Sequence, residues 1–515
     1  MEELSTADIR QLEEKGISQV RLREQLCGFE KGFPFSRIAA PALKGKGVLE
    51  IDPAEVERYR RLYREKSRQE RVLKFVPASG AATRMFKDLY AFCDTCRAGS
   101  SAAGKPEVQE FFDHISEFAF YEDLEQAVLR AKGASLQDFL DKGDYLPVLE
   151  VLLERGGLSY GHLPKALLRF HRYAAENRTA LEEHLTEAAL YASCEGECNL
   201  HFTVSPEHLA AFEKYVAQVL PVYEKRYGIR YHISYSQQKS STDTVAVNPD
   251  NTVFRDENGR MVFRPGGHGA LIQNLNDCEE EIVFIKNIDN VTTDSLRQDT
   301  VVYKELLAGV LVERREAVFA YLRQLEDMHQ VYPSFLQELK AFVCNRLSLS
   351  LPEDFDRMNQ RMQLEYYKRI LNRPMRVCGV VKNTGEPGGG PFWVKPQGEG
   401  ACSLQIVESS QIDKSDTEQK RIFETAEFFN PVDLVCTIYD YRHRKFDLLQ
   451  YVDPQTAFIS SKSVQGKEIK AMELPGLWNG AMAHWITLFV EVPQSVFTPV
   501  KTVNDLLRPQ HKNSK

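Results

Sequence analysis

The chain opens on a helical pattern. Ser5-Thr6-Ala7-Asp8 can cap a first helix, and Asp52-Pro53-Ala54-Glu55 starts another with proline suited to the first turn. The first seventy residues read as helical throughout, and the polar run ending at Arg71 reads as a solvated helix face. At Val72 the polarity stops and a buried strand begins. From about Asp88 to Leu163 the apolar spacing is helical again, in E-F-F-D-H-I-S-E-F-A-F-Y-E-D-L and L-P-V-L-E-V-L-L-E-R-G-G-L, and predicts a helical insertion. Strands and helices then alternate. N-L-H-F-T-V-S is a strand from Asn199 to Ser205, P-E-H-L-A-A-F-E-K-Y-V a helix opened by Pro206, R-Y-H-I-S-Y-S the next strand, and E-I-V-F-I-K-N-I-D-N another. Roughly Asp299 to Asn372 is helical, and after Arg376 the chain is strand-rich with glycine-dense loops. The polar tail beyond Pro509 is expected to fray. The sequence shows no internal repeat.

Strand-helix-strand alternation implies parallel pairing and an α/β fold, in which ligands collect at the carboxyl ends of strands. The expected division is 1–70, an N-terminal helical segment; 71–310, an α/β core carrying the insertion at about 88–163; 311–375, a helical segment; and 376–515, a C-terminal strand-rich part.

Composition narrows the function classes. The 515 residues suffice for two or three domains. A net charge of -8 argues against broad nucleic-acid binding, which needs a basic face. No apolar run approaches a membrane span, and the N-terminus lacks the basic and apolar regions of a signal peptide. The expectation is a cytoplasmic protein without a membrane or nucleic-acid partner. The pairs Cys93/Cys96 and Cys194/Cys198 have spacings that zinc or redox sites use. Roughly a hundred residues separate them and no histidine pattern supports them. They read as buried or incidental thiols.

Four stretches read as strand ends with chemistry. In K-F-V-P-A-S-G-A-A-T-R-M-F, Lys74 to Phe86, a short strand meets the small residues Ala78, Ser79, Gly80, Ala81 and Ala82. These let backbone approach a ligand, Thr83 and Arg84 would meet phosphate oxygens, and the following helix adds free amides and its dipole. An ordinary strand-to-helix turn has the same composition. In L-P-K-A-L-L-R-F-H, Lys165 follows proline at the edge of an apolar run and can present an ammonium to phosphate, or simply start a surface helix. In R-P-G-G-H-G-A-L, glycines bracket His268; such density is entropically expensive and suggests backbone touching a ligand, although a plain turn is the alternative. In I-V-F-I-K-N-I-D-N-V, Asn287, Asp289 and Asn290 end a strand. Asp289 there suits magnesium bridging to substrate phosphates, or turn chemistry.

Taken in order, these motifs resemble the sugar nucleotidyltransferases, whose signature is a G-x-G-T-R-like loop followed by a P-K motif. Here P-A-S-G-A-A-T-R-M stands in that place, with alanine at one usual glycine, and Pro164-Lys165 follows about eighty residues on. The resemblance is closest to the UDP-sugar pyrophosphorylase branch, with its P-x-G-H-G-D-like loop (here Pro265 to Gly269, with Ala270 in place of the aspartate), its N-x-D-N-like strand end (Asn287 to Asn290) and its P-V-K-x-x-x-D-L-L segment (Phe497 to Leu507). The whole chain also looks like a bacterial family known only as a domain of unknown function. The resemblance implies a GT-A-like, Rossmann-related fold with a mixed, mostly parallel sheet. It implies a Mg²⁺-dependent nucleotidyltransferase that makes an NDP-sugar and pyrophosphate from an NTP, UTP first, and a sugar 1-phosphate. Arg84, Lys165 and Lys501 would act on phosphates and Asp289 would hold magnesium. Ala78 to Thr83, Gln237 (or Gln238) as base reader, Gly267, His268 and Gly269 would bind nucleotide. In that reading 71–310 binds nucleotide and 376–515 binds sugar phosphate.

Two further stretches suit a sugar, which is held by directional hydrogen bonds and flat apolar faces. K-N-T-G-E-P-G-G-G-P-F-W offers Asn383, Glu386 and Gly389; E-L-P-G-L-W-N-G-A-M-A-H-W offers Glu473 and Asn479 beside two tryptophans. Both are equally tight turns around core tryptophans. Two rivals stay open: a degenerate relative that binds a nucleotide sugar without turnover, and the same chemistry on a non-sugar phosphate such as a polyol phosphate.

Overall fold

The computed structural model describes residues 4–80, 82–99, 105–327, 332–385, 388–398, 400–464 and 466–512. The chain forms two compact units, each assembled from three separated stretches. The first unit takes Met1–Arg71, Gln238–Val283 and Leu306–Val492; the second takes Val72–Gln237, Phe284–Glu305 and Pro493–Lys515. This differs from the consecutive segments that composition suggests. The reason is burial: Val500, Val503 and Leu506 share one apolar core with Val76, Phe86 and Phe202, far from them in the chain.

The second unit is built on strands β1 (Val72–Pro77), β2 (Glu197–Thr203), β3 (Arg230–Ser236) and the last three residues of β4 (Ile282–Lys286), with helices α1 (Ala180–Tyr191) and α2 (Pro206–Tyr227). β1 and β2 are parallel, with Pro77 opposite Thr203; β2 and β3 are parallel, with Thr203 opposite Ser236. β4 lies on the other side of β1. β1 is buried from Val72 to Val76, as a strand covered on both faces must be, and this explains its lack of polar alternation. α2 has Pro206 in its first turn and stops at Gly228, whose left-handed φ of 65° caps it. The parallel register brings the ends of β1, β2 and β3 to one edge, so the loops that follow Pro77, Thr203 and Ser236 emerge together.

The expected insertion is present as five α-helices among the described residues, from Lys87–Arg97 to Leu146–Leu153. Its core is aromatic: the Phe111 and Phe118 rings lie 5.0 Å apart and those of Phe118 and Phe120 4.9 Å. Ser135 closes a capping box with Asp138 on one of its helices.

In the first unit β5 (Met375–Lys382) pairs parallel with β7 (Ile486–Glu491) and antiparallel with β6 (Asp433–Thr437). β7 also pairs parallel with Gly47–Leu49. A separate antiparallel sheet joins Ile38–Pro41, Gly389–Val394 and Ser403–Glu408, and Phe458–Val464 forms a hairpin with Lys467–Glu473. The α/β expectation with a mixed, mostly parallel sheet and a strand-rich C-terminal part therefore holds.

The all-helical reading of the first seventy residues does not. Ser5 does cap the first helix and Asp52 the turn at Pro53, but Ile38–Pro41, Leu43–Lys44 and Gly47–Leu49 are short strands. Leu43–Lys44 pairs locally with Gly47–Leu49, but the other partners of Ile38–Pro41 and Gly47–Leu49 lie hundreds of residues away, and strands this short show no local periodicity. The tail is also ordered further than its polarity suggests, because His511 is buried and hydrogen-bonded to His171. Among the described residues no helix is long and apolar enough to cross a membrane.

Candidate functional site

The loop after β1 is anchored on three sides within the second unit. The Ala78 amide donates to the Thr203 carbonyl at 3.0 Å, the Ile288 amide to the Pro77 carbonyl at 3.4 Å, and the Ala82 amide to the Leu163 carbonyl at 3.2 Å. Ala78 and Ala82 are buried, while Ser79, Gly80, Thr83 and Arg84 are exposed. Ala81 lies outside the described residues. Gly80 has open space where a Cβ would stand and no positive φ, and Ala82 also avoids the left-handed region. At these two positions the loop has no left-handed backbone that would call for glycine. The Arg84 guanidinium has no hydrogen-bond or ion-pair partner among the described residues, which leaves an exposed cation at the loop's end.

Lys165 is not at a strand end, contrary to the sequence reading. It opens a 3-10 turn, Lys165–Leu167, just before the strand Arg169–Arg172. Pro164 is extended and delivers it there. Its ammonium donates to Asp289 Oδ2 at 2.9 Å and to the Val500 carbonyl at 2.8 Å. Asp289 follows β4, and the C-terminal segment is tied to the same turn. The Val500 amide donates to the Asp289 carbonyl at 3.0 Å, Asn290 bridges Pro499, and Asn290 Oδ1 accepts the Thr498 amide at 2.9 Å. The Val503 amide reaches the Met85 carbonyl at 3.1 Å, just past the first loop. Four stretches separated in sequence thus meet in one unit, with exposed Lys501 next in the chain to Val500. Asp505 accepts the Lys501 and Thr502 amides at 2.7 Å each and so caps the turn Val503–Leu507.

Among the described residues no group of three or more His, Cys, Asp or Glu side chains could hold a metal ion by itself. Magnesium is commonly held by one or two carboxylates, water and substrate phosphates. Asp289 fits that donor set with one carboxylate: Oδ2 carries Lys165, and Oδ1 has no protein partner among the described residues. The ten cysteines are free thiols, with Cys93 and Cys198 buried. Gln237 is exposed just past β3 in the second unit, whereas Gln238 belongs to the first.

In the first unit the glycine-rich loop packs on the stretch Glu473 to Gly480. A Cβ on Gly269 would lie 2.0 Å from the Pro475 carbonyl oxygen, and one on Gly266 would lie 2.6 Å from that of Thr242. Gly267 has a φ of 77°. Close approach of the chain to itself thus accounts for Gly266 and Gly269, and a left-handed φ for Gly267. His268 Nδ1 accepts the Leu477 amide at 3.1 Å, and its ring stacks on Trp478 with centroids 4.2 Å apart. Desolvation pushes this imidazole down to about 4, against a smaller opposing effect of Glu473, so it is neutral at physiological pH.

The expected sugar-binding residues are placed as follows. Asn479 is buried and its Nδ2 donates to the Ile406 carbonyl at 2.9 Å, so this amide is spent inside the protein. Glu473 accepts from Ser460 and pairs with Lys462, both at 3.2 Å. Asn383 accepts the Gly385 amide and donates to the Ala426 carbonyl, while Gly389 is a strand residue opposite Glu408. Glu386 lies outside the described residues.

The sequence reading missed a buried ionic network in the second unit. Lys74, Glu187 and Lys286 are all at most 1% exposed. The signal was available: a lysine inside each of two otherwise apolar strand runs, V-L-K-F-V and I-V-F-I-K. A second buried set joins His171 Nδ1 to Glu183 at 2.7 Å, and His171 Nε2 to His511 at 2.8 Å.

No curated protein matches the chain. Solved structures that resemble it include a point mutant of UDP-glucose pyrophosphorylase from Leishmania major in complex with UDP-glucose, 15% identical, covering 98% of this chain and 79% of that one with a TM-score of 0.45. Another is a UDP-glucose phosphorylase from Trypanosoma brucei, 13% identical, covering 97% and 77% with a TM-score of 0.44. No residue's role follows from a likeness of this size. The profile of the family described as Domain of unknown function (DUF4301) matches residues 5–512, and the chain belongs to that family.

Proposed function

We propose that this protein is a nucleotidyltransferase that joins an NTP, UTP in the first instance, to a sugar 1-phosphate and releases pyrophosphate. The observation that carries the reading is the Lys165 ammonium, shared between Asp289 and the Val500 carbonyl. It ties together the three motifs whose order resembles the sugar nucleotidyltransferases. The reading is built on the second unit alone.

In the proposed reaction an acceptor phosphate oxygen attacks the α-phosphorus in line. The new P–O bond forms as the bond to the β-phosphate bridging oxygen breaks, and that oxygen leaves with pyrophosphate. No covalent protein nucleophile is required, so catalysis is positioning and charge neutralisation. Arg84, exposed after the loop, holds the departing β- and γ-phosphates. Lys165 faces the reacting phosphates, and Lys501 offsets the charge of the acceptor dianion. Asp289 is the residue that would hold Mg²⁺, which when bound neutralises phosphate charge.

A second reading, a binding protein that senses a nucleotide sugar without turnover, has one observation in its favour: Lys165 already neutralises the carboxylate. A screen of pyrophosphate release across the four NTPs and a panel of sugar and polyol phosphates, with magnesium present and absent, separates the two. Magnesium-dependent release with at least one pair supports transfer. Tight nucleotide-sugar binding with no release from any pair supports the sensor.

A further inference from the structure

Lys74 on β1 and Lys286 at the end of β4 donate to the same carboxylate, Glu187 on α1. Lys74 Nζ lies 2.9 Å from Oε2 and Lys286 Nζ 2.8 Å from Oε1. All three side chains are at most 1% exposed. Lys74 also donates to the His184 carbonyl at 3.2 Å, and the His184 ring Nε2 bonds the Ile288 carbonyl at 3.2 Å, one residue before Asp289. Each lysine stands three residues before a loop of the candidate site: Lys74 before Pro77, and Lys286 before Asp289.

A buried ion pair is seldom kept for stability, since apolar packing of equal volume serves as well or better. This bridge also holds two ammonium groups for one carboxylate. Desolvation pushes Lys74 down to about 8 and lowers Lys286 as well, while Glu187 opposes both shifts. Desolvation pushes the Glu187 carboxyl up, but Lys286 and Lys74 more than offset it and hold it well below the usual range. Two ammonium groups thus stand against one carboxylate in a dry interior, beneath two strands whose ends lead into the loops around Arg84 and Asp289.

We propose that the Lys74–Glu187–Lys286 bridge is a positioning device for polyanion binding: it fixes the two loops on α1 and supplies a buried positive field beneath them. These are positioning residues, because none is placed against the reacting phosphates. The inference rests on the proposed function only for the identity of the polyanion.

The test is calorimetry of the full chain with inorganic phosphate, pyrophosphate and tripolyphosphate, beside thermal unfolding. Lys74→Met leaves a matched Glu187–Lys286 pair and is expected to fold. A triple variant, Lys74→Met with Glu187→Leu and Lys286→Met, replaces the bridge by apolar packing. In both, the tripolyphosphate Kd is expected to rise about tenfold or more, with a smaller loss for pyrophosphate and the smallest for phosphate, since a field acts in proportion to ligand charge. A folded Lys74→Met variant with an unchanged tripolyphosphate Kd would overturn the proposal. So would equal losses for all three anions, failure of both variants to fold, or a wild-type chain that binds none of the anions. A wild type that binds tripolyphosphate but releases no pyrophosphate from any substrate pair would sink the proposed function alone.

Discussion

Lys165 Nζ lies 2.9 Å from Asp289 Oδ2, across 124 residues of chain. The pair is partly solvated, with side-chain exposures of 13% and 20%. It neutralises the carboxylate and presents the ammonium in one turn. Asp289→Asn keeps the shape and removes the charge. Its expected effect on stability is about 1 kcal/mol or less, as for other partly exposed pairs. Turnover is expected to fall about a hundredfold or more. Steady-state kinetics with a magnesium titration, set beside thermal unfolding, checks both; near-normal magnesium-dependent turnover would place the metal elsewhere.

Lys501 follows Val500, whose backbone is bonded to both Asp289 and Lys165. Lys501→Met is expected to raise the acceptor KM or lower kcat about tenfold or more while nucleotide affinity holds, because the acceptor's dianion then loses a cation. Calorimetry of nucleotide binding and acceptor kinetics decide this together. Unchanged acceptor kinetics would remove Lys501 from the site.

Two glycines that look alike in sequence should respond oppositely to alanine. Gly269→Ala drives a methyl to 2.0 Å from a backbone oxygen, which cannot swing away. Thermal unfolding should show a loss of about 1–3 kcal/mol or more. Gly80→Ala meets open space without a left-handed φ and is expected to leave the melting temperature unchanged. Any change in phosphate affinity in Gly80→Ala then reports on the loop's contact with ligand rather than on folding.

The His268 imidazole stays neutral until about pH 4, whereas in the unfolded chain it titrates near 6.5. Between these values the unfolded state binds a proton that the folded state does not, so stability of the first unit falls as pH drops from 6.5 toward 4 and is unaffected by this group above 6.5. Trp478, stacked on the ring, is the natural reporter. Its fluorescence is expected to be level from pH 8 to about 5 and to change through about 4; a transition near 6.5 in the folded protein would contradict the burial.

Glu183 is fully buried and yet titrates below the ordinary carboxylate range. Desolvation pushes it up, but Arg297, His171 and Arg178 outweigh this and hold it at about 2. Its contribution to stability is complete above 4.5 and is lost as pH falls from there toward 2. Glu183→Gln should destabilise by about 3 kcal/mol, because the buried Arg297 keeps only the half-exposed Asp294 as a carboxylate partner. Urea unfolding at pH 7 and at pH 3 should show a large difference at the first and a smaller one at the second.

Local sequence determined the helices and strands whose signals are short-range. Ser5, Asp52 and Pro206 marked helix starts because capping and a fixed φ act within a few residues. The apolar run at Val72 marked a strand buried on both faces, and strand-helix alternation marked the α/β class. The motif residues Lys165 and Asp289 could be singled out from their neighbours alone. Tertiary structure decided what these residues touch. The strands at Ile38 and Gly47 join their sheets through partners more than three hundred residues away, which no neighbouring residue announces. The glycines around His268 answer to the Pro475 backbone, and the Asn479 amide to the Ile406 carbonyl, which only packing could reveal. The meeting of Lys165 with Asp289 and Val500 is likewise a product of folding. Long-range contacts are chosen by burial and by the need to pair every buried polar group, and those constraints are solved for the whole chain at once.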